Sequence, residues 1–199
     1  MPQRRASIER LGAFSDGVFA VIITIMVLDL KPPEHPTFAA LAPLWPTGLS
    51  YAVSYQFIAI VWMNHHYLLR FTDDPTPRLI WINFVHLFMV SLVPFATAWV
   101  ASTRLAAVPV FVYAAVFVLV ELAYLQFEHH ALTQADAVEI SHRTRRLAKA
   151  RSFFALGILL TAMLVSLKLP LLGFGLVCCA VLLYLRPEPP GIPRDKTEG

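Results

Sequence analysis

The chain has 199 residues, of which 57% are hydrophobic and only 15% charged, and its mean hydropathy is +0.63. A soluble domain is roughly a quarter charged, so the composition excludes an ordinary water-soluble fold and points to an all-α membrane protein held in a lipid bilayer. The formal net charge of +3 comes without a basic groove carrying interleaved aromatics, so no nucleic-acid partner is expected.

The basic start, MPQRRASIERLGAFSDG, leads into an apolar run long enough to span, with no small-residue cleavage site after it. A retained first helix over about 11–30 is therefore expected, and not a signal peptide. Pro32, Pro33 and Pro36 end it. The second helix is expected over 47–69 and the third over 79–101, with Pro75 and Pro77 between them and Pro94 kinking the third. The fourth is expected over 108–131 with Pro109 near its start, and the fifth over 152–169. A short sixth over 171–185 follows the turn KLPLLG. Residues 1–186 are expected to form one six-helix channel-sized unit, and the polar, Pro-rich 187–199 a disordered tail.

With the N-terminus in the cytoplasm, all but three of the sixteen Lys and Arg fall on that side; the exceptions are Lys31, Arg104 and Lys168. This is a strong positive-inside bias. It accounts for the basic charge, and six spans return the C-terminus to the cytoplasm.

Within the first helix the polar residues separate by angle. At 100° per residue, Val21, Ile25 and Leu28 share one side, Gly17 lies near the same line and Thr24 lies about 60° from Val21. Ser15 and Asp16 lie about 120° and 140° away from Val21, in opposite senses, near the cytoplasmic end. An ionisable residue inside a span faces protein or water, because exposure to lipid costs about 2.5 kcal/mol or more at the centre. Asp16 is thus either a hydrogen-bond hub between helices, with Ser15 beside it, or part of a path for a cation or proton. Thr24 by itself reads as a threonine bonded to its own helix.

RLGAFSD fits R-x-x-x-F-S-D, with Arg10, Phe14, Ser15 and Asp16 at the defining positions, and GVFAVIITIMVLDL continues the helix. Together with six spans and WMNHHYLL in the second helix, this resembles the family of the endolysosomal potassium channel, transmembrane protein 175, in its single six-helix prokaryotic form. The resemblance extends from Arg10 to about Leu185. It implies a homotetramer in the plasma membrane whose central pore is lined by the first helix of each chain, without a TVGYG carbonyl filter; the sequence contains none. It places a hydrophobic constriction at Val21, with further apolar layers at Ile25 and Leu28, and a hydroxyl layer bearing on cation selectivity at Thr24. Val21 stands where isoleucine or leucine is common, which implies a wider and leakier ring. The implied function is a cation channel passing potassium and other monovalent cations, with weak preference for potassium over sodium. The resemblance further implies that Asn64, His65 or His66 bonds the polar cluster of Arg10, Ser15 and Asp16. Asp29 at the outer end reads either as a cation-concentrating group or as a solvated helix-end carboxylate.

Other polar residues in the spans leave alternatives open. Glu121 reads as protonated, as paired with His86, or as facing a crevice that carries protons. A proton-conducting pathway or proton-linked transporter would use Asp16, Glu121 and the histidines as relay groups; a non-transporting scaffold is a third class. His65, His66, His86, Glu128, His129 and His130 lack H-x-x-x-H or E-x-x-H spacing, so neither a metal nor another cofactor is expected. Cys178 and Cys179, adjacent in an apolar run, read as small core residues. Trp45, Trp62, Trp81 and Trp99 fit interfacial or packing roles. No nucleophile, base and oxyanion set converges, so the chain is not expected to be an enzyme.

Overall fold

The computed structural model describes residues 2–69, 76–134 and 142–184, and among these there is no strand. The helices are α1 (Pro2–Met26), α2 (Trp45–Leu69), α3 (Pro77–Ser91), α4 (Val93–Ser102), α5 (Ala107–Gln134), α6 (His142–Ser166) and α7 (Pro170–Tyr184), with 3-10 turns at Val27–Asp29 and Phe38–Leu44. Since α3 and α4 form one broken rod, the described chain makes six helical rods. The expected tail lies outside the described residues.

Ser7–Asp29, Pro77–Ser102 and Ala107–Ala131 are long and apolar enough to cross a membrane, and Ser152–Ser166 and Pro170–Leu183 are shorter apolar helices. α2 is 25 residues long but is interrupted by Ser50, Ser54, Gln56, Asn64, His65 and His66. Several of these point inward: Ser50, Ser54 and His65 are buried.

Proline sets the breaks. α1 stops at Met26, short of the expected Leu30, and winds into the tighter Val27–Asp29 turn before Pro32 and Pro33. A residue before proline is pushed out of the helical region, so the last turn unwinds in advance. In the third rod Pro94 has no N–H to offer the carbonyl one turn back. The chain breaks at Leu92, whose N–H bonds Met89 O at 3.2 Å while its own carbonyl accepts from Ala96 N–H at 3.2 Å. Pro94 sits in the opening turn of α4, and Thr76 caps α3 by accepting the Leu79 N–H at 3.3 Å.

α5 is the central post, packed against α2, α3, α4, α6 and α7. Phe117 on α5 stacks on Phe57 of α2 with ring centres 3.8 Å apart, and Tyr113 meets Phe117 at 4.5 Å. Hydroxyls tie the same level together: Ser54 lies 2.7 Å from Thr97 and 2.8 Å from the Tyr113 phenol. In hydrocarbon such groups must satisfy one another, because water is not at hand. α6 and α7 form a close hairpin around Gly173, where an added Cβ would lie 2.6 Å from the Ser166 Cβ and 2.9 Å from the Ala162 carbonyl. Cys178 is half-buried on α7, but its neighbour Cys179 is exposed. The reading of both as core residues is corrected there, since adjacent positions on a helix point about 100° apart. α1 lies at the margin, against α2, α3 and α4.

Candidate functional site

α1 buries one stripe and bares another. Leu11, Ser15, Phe19, Ile22 and Met26 are buried, at the three- and four-residue steps of a single helix face. On the other side Gly17, Ala20, Val21, Thr24 and Ile25 are exposed. Val21 is 57% and Ile25 44% exposed within the chain. Leu28 is more exposed still, but it belongs to the 3-10 turn. The 3-10 step of about 120° per residue leaves Leu28 on the same side as Val21 and Ile25.

Thr24 donates its hydroxyl proton back into its own helix, 2.9 Å from Val21 O and 3.0 Å from Ala20 O. With the proton so committed, the oxygen presents lone pairs outward. It can accept from water or ligate a cation, but a second donation is not available to it.

The buried end of α1 is held by directed polar bonds. The His65 Nε2 donates to Asn83 Oδ1 at 2.6 Å, since the carbonyl oxygen can only accept. Asn83 Nδ2 donates to Ser15 Oγ at 3.1 Å, and Ser15 Oγ donates to the Leu11 carbonyl at 2.9 Å. The chain therefore runs in one sense from α2 through α3 to α1. Alongside it the Trp62 indole N–H donates to Asp16 Oδ1 at 2.7 Å. Interhelical hydrogen bonds in a membrane bundle contribute about 0.6 kcal/mol each on average and reach about 1.7, so together they fix this end of α1 firmly.

Of the three candidate partners, His65 reaches the cluster through Asn83. Asn64 instead lines a cavity with Glu121 and Tyr124, and His66 is exposed with its ring 5.6 Å from that of Trp62. Arg10 is exposed, outside the bonded set described here. Phe14 is half-exposed and meets Phe84 edge to face at 5.5 Å. Asn83 and Trp62 complete the cluster without a motif to mark them: the signal for Asn83 is an amide in the apolar third span, and Trp62 fits an interfacial or packing role by sequence. Its indole N–H is instead spent on Asp16.

His86 does not pair with Glu121. It is buried among aromatic rings, stacked at 5.9 Å from His65 and 6.2 Å from Phe127, and neither ring nitrogen has a hydrogen-bond partner among the described residues. Glu121 faces the cavity between α2, α5, α6 and α7, whose volume open to a water centre is about 20 Å³. That is room for about one water molecule.

Fold and site together define a helical multi-pass membrane protein whose first helix is packed and hydrogen-bonded along one stripe and bare along another. Comparison with known proteins names its family. Residues 10–94 match the family model of the endosomal/lysosomal potassium channel TMEM175. A Chryseobacterium protein named a potassium channel is 32% identical over 90% of this chain and 93% of its own length. The crystal structure of a lysosomal potassium-selective channel TMEM175 homolog from Chamaesiphon minutus superposes with a TM-score of 0.80 at 28% identity, covering 90% of this chain and 97% of that one. The zebrafish endosomal/lysosomal proton channel TMEM175 is 31% identical over 48% of this chain, a match to 21% of its own length. The chain belongs to the TMEM175 family, and it matches the bacterial relative over nearly that protein's whole length.

Proposed function

We propose that this protein is a potassium-permeable cation channel of the cell membrane, with its termini in the cytoplasm and four copies arranged around a pore lined by α1. The observation that carries the reading is the exposed face of α1: Val21, Thr24 and Ile25 lie uncovered on a helix whose opposite side is packed and hydrogen-bonded. A face meant for lipid alone favours bulky aliphatic residues. This one carries Ala13, Gly17, Ala20 and Thr24, small groups that let helices approach closely, and an added Cβ at Gly17 would meet nothing within 4 Å.

The chemistry follows from residue types. Four Val21 side chains in a ring offer no ligands, so a narrow ring sheds water and blocks ions until the helices tilt or rotate apart. Four Thr24 oxygens with outward lone pairs replace part of an ion's hydration shell. Neutral, sparse ligation discriminates weakly and favours the ion that dehydrates more easily, potassium over sodium. Asp16 is then a positioning group, held by Trp62, and not a pore ligand.

Purified protein in a planar bilayer is expected to pass single-channel current, with a reversal potential favouring potassium. Thr24→Ala lowers that preference and Val21→Ala raises the leak. If both leave permeation unchanged while current persists, α1 does not line the pore. A second reading, a proton pathway, is favoured by the name of the vertebrate relatives, endosomal/lysosomal proton channel TMEM175. A reversal potential that follows the pH gradient and ignores potassium selects it.

A further inference from the structure

The connection between α1 and α2 contains an apolar element that the chain leaves uncovered. Phe38–Leu44, sequence FAALAPL, winds as a 3-10 helix with none of its residues buried. Phe38 is 93% exposed, Leu41 52%, and Trp45, which opens α2, 54%. In a 3-10 helix side chains at i and i+3 eclipse, so Phe38, Leu41 and Leu44 share one edge. The apolar surface continues from Trp45 to Leu49, also exposed, on the next turn of α2. Immediately before it, Lys31, Glu34, His35 and Thr37 are exposed and polar.

Seven residues at about 2.0 Å rise reach only ~14 Å, far short of a bilayer core of about 30 Å. The element therefore cannot cross. It stands where α1 ends and α2 begins, beside a tryptophan of the kind that marks the headgroup level, and its greasy edge runs on into the outward face of α2. A polar segment on one side and the 25-residue helix α2 on the other match the headgroup–acyl boundary.

We propose that Phe38–Leu44 is an in-plane membrane anchor, with Phe38 and Leu41 inserted into the lipid leaflet at the α1–α2 connection. Its partner is the lipid surface itself. By holding the linker that follows Pro32 and Pro33, it fixes the outer end of α1, the end nearest Thr24 and Ile25.

The test is the depth of single labels in the full chain. Phe38→Cys and Leu41→Cys, with Glu34→Cys as the water-side reference, are made in a Cys178→Ala, Cys179→Ala background. Each is labelled with an environment-sensitive fluorophore and placed in lipid nanodiscs, where both faces are open. At Phe38 and Leu41 the emission is expected to shift to the blue. Quenching by nitroxide-headgroup lipids should be several-fold stronger there than at Glu34, and quenching by iodide several-fold weaker. Labels quenched by iodide as readily as at Glu34 overturn the anchor, since the segment then lies in water. Labels shielded from both quenchers also overturn it, because a second copy of the chain then covers the segment. All three labelled positions are exposed, so the labelling substitutions remove little internal packing.

Discussion

Eighteen-residue stretches of the spans Ser7–Asp29 and Ala107–Ala131 are equally apolar by hydropathy, yet 28% of the first stretch is buried inside the chain and 61% of the second. Hydropathy measures preference for hydrocarbon over water, and lipid and protein interior are both hydrocarbon-like. The two helices therefore carry the same partition signal and have opposite surroundings. α5 packs against five neighbouring helices, and its aromatic rings meet rings on α2, α3 and α7. In α1 one stripe is packed and the other is left for lipid, ions or another copy.

Substitutions on each helix sharpen or break this contrast. The largest loss is expected for Phe117→Ala on α5, which empties the stack against Phe57 and Tyr113. In water such a truncation costs about 3–5 kcal/mol. In a bilayer part of the transfer term disappears, because the unfolded reference helix is also in lipid, so a loss of about 2 kcal/mol in a denaturant titration in mixed micelles is expected. Next comes Ser15→Ala on the packed stripe of α1. It removes the acceptor of the Asn83 amide and is expected to cost about 1 kcal/mol in the same titration. Ser15→Thr, which keeps a hydroxyl, should recover part of that loss if the bond and not the volume matters. The smallest effect is expected for Ile25→Ala on the bare stripe: within about 0.5 kcal/mol, with fold and expression intact. An Ile25→Ala loss as large as that of Phe117→Ala would mean that this face is packed against something essential for folding, and the contrast between the helices would fail.

Much of α1 was legible before the structure. Its angular division, with Ser15 away from Val21 and Thr24, agrees with a buried Ser15 and an exposed Val21–Ile25 face, because angle about a helix axis depends only on residue number. Leu28, in the 3-10 turn that follows, is exposed as well. The partners of Ser15 and Asp16 were not legible. Three polar residues in a row, Asn64, His65 and His66, point in three directions from α2, and only packing decides which one meets α1.

By itself the sequence determined that the chain lives in a bilayer, roughly where prolines interrupt its helices, and that a motif-bearing first helix has two unlike sides. Those properties are local: they follow from composition, from the missing proline N–H and from the helical repeat. The tertiary structure alone decided that Asn83 bridges His65 to Ser15 and that Trp62 holds Asp16. These bonds join residues 18, 68 and 46 positions apart. It also decided that α5 and not α1 is the buried post, because helices of equal hydropathy are told apart only by the shapes packed against them.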